Sequence, residues 1–206
     1  MSPRHSSILV LCAALAAAFG GFWLARHLEA SVPQLESGTW LPQPREIGDF
    51  RLTDHLGQPF TARDLLGHPT LVFFGFTHCP DVCPTTLAKL AQLKKVAALP
   101  DVRVVFVSVD PQRDTPAAMG LYAHAFDPDF IGVTGDPAAI TKLTSRFGIA
   151  VSRVELPGGD YTMDHSAAVF LLDTHGRIVA IFTPPFDIAR FAQDLRAAEP
   201  RLQSSS

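Results

Sequence analysis

Apolar positions along this chain follow two different periods. Thr70–Phe76 is a continuous β-branched and aromatic run, the pattern of a strand buried on both faces, and Val102–Val109 reads as a second buried strand. Between them Leu87, Leu90, Leu93, Val96 and Ala97 recur at three- and four-residue spacings, which predicts an amphipathic helix. Pro116–Phe126 reads as a second helix, with Thr115 placed to cap it and proline at its first position. Phe130–Val133 is a short third strand, and Pro137–Phe147 a helix closed by Gly148. Two hairpins are expected. Phe50–Leu52 and Phe60 flank a turn over Asp54–Pro59, and Ala167–Leu172 and Ile178–Phe182 flank Asp173-Thr174-His175-Gly176. Ile188–Ala198 supplies a closing helix.

This order predicts an α/β domain of three layers over residues 49–198. A strand–helix–strand core followed by a hairpin and a helix is similar to the order of the thioredoxin fold. The ends of the chain read differently. From Ile8 to Ala25 no residue is charged, a length suited to one transmembrane helix of about 17–25 residues. Arg4 precedes the run and Phe22-Trp23 suits its far interface, so an N-terminal anchor over residues 1–30 is expected, its N-terminus cytoplasmic. A cleaved signal peptide is the weaker alternative, because the apolar run continues past the small residues Ala14–Ala18. A lipid anchor on Cys12 is disfavoured by Leu11 before it. Residues 31–48, containing Pro33, Pro42 and Pro44, read as a linker, and 199–206 as a disordered tail. The expected location is the bacterial inner membrane, single-pass, with the globular part in the periplasm.

Composition narrows the function. With 47% hydrophobic residues and a net charge of −3 the chain has material for a core and no basic surface for nucleic acid. Of three cysteines, Cys12 falls within the apolar N-terminal run. The other two lie in Cys79-Pro80-Asp81-Val82-Cys83-Pro84, between a buried strand and the start of a helix. Unpaired N–H groups and the helix dipole favour negative charge at that point, so thiolates are expected there. A disulfide this local closes too small a loop to contribute much stability. A redox pair or two ligands for a soft metal remain.

A metal needs a further ligand. Among eight histidines, His165 stands apart, because it precedes Ala167–Leu172, the strand expected beside the one that leads into the cysteine loop. Thioredoxins place a proline there, and Tyr161–Ser166 contains none. Two thiolates and an imidazole suit Cu(I), and would accept Cu(II) or Zn(II). A peroxidase of the peroxiredoxin type fits poorly, since Phe76 and Val72 occupy the positions where a hydroxyl residue and a proline are expected.

Three segments, Phe73–Pro84, Ser108–Pro116 and Asp164-His165-Ser166, together resemble the Sco/SenC family over roughly Gly48–Ala198. The resemblance implies a thioredoxin-like fold and copper held by Cys79, Cys83 and His165. It further implies a chaperone rather than an enzyme, which helps assemble the Cu-A centre of cytochrome c oxidase. Subunit II of that oxidase, or another copper-receiving protein, would be the partner, with other periplasmic copper chaperones in the same pathway. A thiol–disulfide oxidoreductase acting on a copper-receiving partner's cysteines is the alternative. Asp81 and Asp110 fall within these motifs and are expected to serve as turn caps or solvated carboxylates.

Overall fold

The computed structural model describes residues 14–23, 35–98 and 101–203, and divides the chain into two compact units, Met1–Val32 and Pro33–Ser206. In the first unit residues 14–23 are helical. The rest of the expected membrane span, 8–13 and 24–25, lies outside the described residues. Among the described residues no helix is long and apolar enough to cross a membrane.

The second unit is built on an eight-stranded sheet. In chain order its strands are β1 (Gly38–Arg45), β2 (Arg51–Asp54), β3 (Pro59–Thr61), β4 (Thr70–Gly75), β5 (Arg103–Ser108), β6 (Ile131–Thr134), β9 (Val169–Leu172) and β10 (Ile178–Phe182). Across the sheet they run β1-β10-β9-β4-β5-β6-β2-β3. β4, β5 and β6 are parallel, β9 is antiparallel to β4, and the flanking pairs are antiparallel. β7 (Val151–Glu155) and β8 (Tyr161–His165) form a separate two-stranded sheet. The helices are α1 (Val82–Ala97), α2 (Pro116–His124), α3 (Pro137–Phe147) and α4 (Ile188–Leu202).

The three layers follow from the two-residue period of the central strands. Phe73 and Phe106 are register partners on β4 and β5, stacked at 5.9 Å, and Phe106 meets Tyr122 of α2 at 5.7 Å. One position on, Phe74 faces the opposite way and packs edge-on against Phe147 of α3 at 4.9 Å. Helices therefore cover both faces, and every residue of β4 is buried, as its unbroken apolar run requires.

Capping matches the sequence. Thr115 accepts a hydrogen bond from the Ala118 amide, and Asp136 and Asp187 cap α3 and α4 in the same way. α3 stops at Gly148, whose φ of 71° places it in the left-handed region that favours glycine.

Four expectations fail. Residues 38–45 are not linker: β1 pairs with β10, with Gly38 opposite Phe182 and a register irregularity between Trp40 and Arg45 that accommodates Pro42 and Pro44. Proline is tolerated on such an edge because no neighbouring strand needs its missing N–H. The approach to β1 is also fastened, since the buried Asp194 carboxylate of α4 accepts hydrogen bonds from the Glu36 and Ser37 amides, both at 2.8 Å. Residues 199–202 continue α4 rather than opening a disordered tail, because Leu202 is buried and its carbonyl accepts from the Thr174 amide. Residues 204–206 lie outside the described residues. Val96, placed on the buried stripe of α1, is exposed. The β7–β8 hairpin was not expected.

Candidate metal centre

The cysteine loop grows out of the C-terminal end of β4. The chain leaves the sheet at Gly75, turns through residues 76–81, and enters α1 at Val82. Cys83 lies in the first turn of that helix and is completely buried, whereas Cys79 in the loop is half-buried. The Cys83 amide donates to Cys79 Sγ at 3.4 Å, so an unpaired N–H at the helix start points at a sulfur. Gly75 makes room for this arrangement. A Cβ there would lie 2.7 Å from Cys83 Sγ and 2.8 Å from the Phe106 ring.

His165 comes from the other sheet, as the last residue of β8. Its Nε2 lies 3.6 Å from Cys83 Sγ. Its Nδ1 lies 3.0 Å from the Ser166 carbonyl oxygen, which accepts only, so Nδ1 carries the proton and the Nε2 lone pair faces the thiols. Phe76 and Phe73 meet the imidazole edge-on at 5.9 and 6.3 Å and limit its rotation. The donor atoms of Cys79, Cys83 and His165 lie within 4.8 Å of one another. Both cysteines are free thiols.

Burial dominates the electrostatics. It lowers the His165 pKa below the ordinary histidine value, which keeps the ring neutral and able to donate a lone pair. It also pushes the Cys83 thiol well above its ordinary range, with the neighbouring Cys79 adding to the rise. The rise runs against the expectation that the helix N-terminus favours a thiolate at Cys83: desolvation outweighs the lowering backbone hydrogen bond at Phe76. A bound soft metal reverses the balance by taking the place of the proton.

Around this centre lies a polar framework that sequence patterns did not assign. Asp114, wholly buried, accepts from the Thr77 hydroxyl at 2.6 Å, the Ser108 hydroxyl at 2.7 Å and the Thr77 amide, which fixes the chain two residues before Cys79. Asp110 is also buried and is not the solvated carboxylate expected. It is ion-paired with Arg113 and accepts from the Tyr161 hydroxyl at 2.9 Å. Asp81, by contrast, is exposed and makes no side-chain cap of α1; among the described residues its carboxylate accepts only from the Thr85 hydroxyl, at 3.4 Å. The available signal was the density of charged and turn residues in Asp110–Thr115 immediately after a buried strand. Likewise Pro157-Gly158-Gly159-Asp160, between β-forming residues, marked the missed hairpin.

Comparison with known proteins agrees with this architecture. A family model described as SCO1/SenC matches residues 40–199. The mitochondrial SCO2 homolog of Bos taurus is 36% identical over 200 residues, spanning 94% of this chain and 74% of its own. The copper-bound structure of Bradyrhizobium japonicum ScoI is 44% identical and superposes with a TM-score of 0.67 over 72% of this chain and 96% of that one. Copper-bound ScoI of Arabidopsis thaliana is 34% identical, with a TM-score of 0.70 over 76% of this chain and 98% of that one.

Proposed function

The chain belongs to the SCO1/SenC family, and on that footing we propose that it is a copper metallochaperone that holds its cargo through Cys79, Cys83 and His165. The observation that carries the reading is the convergence of two sulfurs and one imidazole nitrogen within 4.8 Å. Two soft thiolates with one imidazole form a donor set for Cu(I). Half-exposed Cys79 is the ligand an acceptor's thiol reaches first, so transfer by stepwise ligand exchange begins there. Val82, 43% exposed beside the site, gives the rim an apolar contact for a docking partner. The acceptor in this reading is the Cu-A-bearing subunit II of cytochrome c oxidase, or another copper-receiving protein. The charge-free run Ile8–Ala25 supports a single-pass anchor that keeps the domain on the periplasmic side of the inner membrane.

Copper titration of the reduced protein tests this, with one Cu(I) per chain expected. Cys79→Ala, Cys83→Ala and His165→Ala should each weaken uptake, measured by competition with a chromophoric Cu(I) chelator. Unchanged affinity in His165→Ala would remove the three-ligand site.

The contrast between a half-exposed and a buried cysteine favours one second reading, thiol–disulfide exchange, with Cys79 attacking and Cys83 resolving. The raised Cys83 pKa opposes it, because a resolving thiol works as the thiolate.

A further inference from the structure

We propose that Arg113, held by Asp110 and Tyr161, is a positioning residue that sets how closely His165 approaches the two thiols; the proposal rests on reading Cys79, Cys83 and His165 as the copper ligands.

The need for such a residue is visible in the topology. Cys79 and Cys83 are fixed by β4 and α1, within the large sheet and its helical cover. His165 is carried by β8, whose ladder runs only to β7. Beside that hairpin lies a cleft of about 380 Å³, lined by Tyr161, Met163 and Arg153 on one side and Ile140 and Thr144 of α3 on the other. No strand ladder joins the hairpin to the large sheet; Val151 and Met163 pack against the core, and the cleft leaves the rest of that side open.

Arg113 makes the connection. Its Nε is ion-paired with the buried Asp110 carboxylate just beyond β5. Its Nη1 donates to the Tyr161 carbonyl at 3.0 Å, at the start of β8. Its guanidinium lies 3.7 Å from the Tyr161 ring centre while Arg153 lies 3.6 Å from the same ring, so the ring is held between two cations. The Tyr161 hydroxyl closes the loop by donating to Asp110 at 2.9 Å. On the site side Arg113 lies 5.8 Å from the ring of Phe76, and that ring meets His165 at 5.9 Å. One side chain thus touches both the first residue of the histidine-bearing strand and the aromatic ring that opens the cysteine loop.

The geometry also explains why the residue is arginine. Nε reaches the carboxylate and Nη1 the carbonyl in one plane that stacks on the tyrosine, which the point charge of lysine does not reproduce. The arrangement leaves Arg113 Nη2 buried without a hydrogen-bond partner among the described residues.

Arg113 touches no ligand atom, so its effect passes through His165, and a double-mutant cycle on the full chain isolates it. Arg113→Lys is expected to weaken Cu(I) binding about tenfold, the lower end for groups that orient a metal ligand. It should also shift the thiolate-to-Cu(II) charge-transfer band. In a His165→Ala background the same substitution should change affinity less than twofold. Tyr161→Phe removes a single hydroxyl and serves if the arginine variant does not fold; a smaller loss with the same dependence on His165 is expected. Equal losses with and without His165, or no loss in either variant, would overturn the proposal. If the unmodified protein takes up no Cu(I), or His165→Ala binds as tightly as the unmodified protein, the ligand reading fails and the proposal goes with it. If His165→Ala weakens binding while Arg113→Lys and Tyr161→Phe do not, only the positioning role fails.

Discussion

The two sheets of this protein bring two sulfurs and one imidazole nitrogen to one point by different physics. β4 and β5 are buried along almost their whole length, and hydrophobic burial with a parallel ladder fixes where β4 delivers the cysteine loop. In the β7–β8 hairpin β7 is mostly exposed and β8 half-buried; the pair stands outside the main ladder and is held by the packing of Val151 and Met163 and by an arginine, an aspartate and a tyrosine. Its outer surface even leaves Val154 and Leu156 in solvent. The rigid part sets the position of the sulfurs, and the tied part sets the position of the nitrogen. The proposed cargo site would profit from the difference, since a ligand must be ordered enough to bind and loose enough to be exchanged.

Truncation should separate the two regions most sharply. Phe106, fully buried between Phe73 and Tyr122, is expected to cost about 3–5 kcal/mol of unfolding free energy on change to alanine. Val154→Ala on the hairpin should stay within about 0.5 kcal/mol. Urea unfolding reads both, and similar losses at the two positions would erase the distinction.

A smaller effect is expected where the regions meet. Gly75→Ala drives a methyl group against Cys83 Sγ and Phe106, and should cost about 1–3 kcal/mol. It should also weaken Cu(I) binding, because the sulfur is the atom that must yield. Unchanged copper affinity beside lowered stability would show that Phe106 moves instead.

The smallest effect separates the two ligands by pH. Burial raises the Cys83 pKa and lowers that of His165. Near neutrality Cys83 therefore loses a proton when it takes a metal, and His165 has none to lose. Cu(I) affinity should rise at least about tenfold per pH unit from the Cys83 proton alone, with no contribution from His165. Competition titrations across the neutral range, repeated on His165→Ala, should give parallel slopes. A flatter slope in the variant would mean that the imidazole carries a proton in the free protein.

Much of this was legible along the chain. The spacing of Leu87, Leu90 and Leu93, the continuous run of β4, and the prolines and caps of α2 and α3 are local signals, and each became the element it predicted. β1 was hidden because an edge strand with two prolines and a broken register carries no strand period. The role of Asp110 was hidden because a carboxylate's worth depends on its partners, and Tyr161 lies fifty-one residues away.

By itself the sequence determined that two cysteines stand at the junction of a buried strand and a helix, because periodicity and capping act over a few residues. It marked His165 as the residue entering a neighbouring strand and, through family resemblance, as a ligand. Tertiary structure alone decided that its Nε2 faces Cys83, that burial raises the Cys83 thiol pKa, and that an arginine clamp joins the two halves of the site. Distances, desolvation and ion pairing belong to residues far apart in the chain, and they take values only once the sheet and the hairpin are brought together.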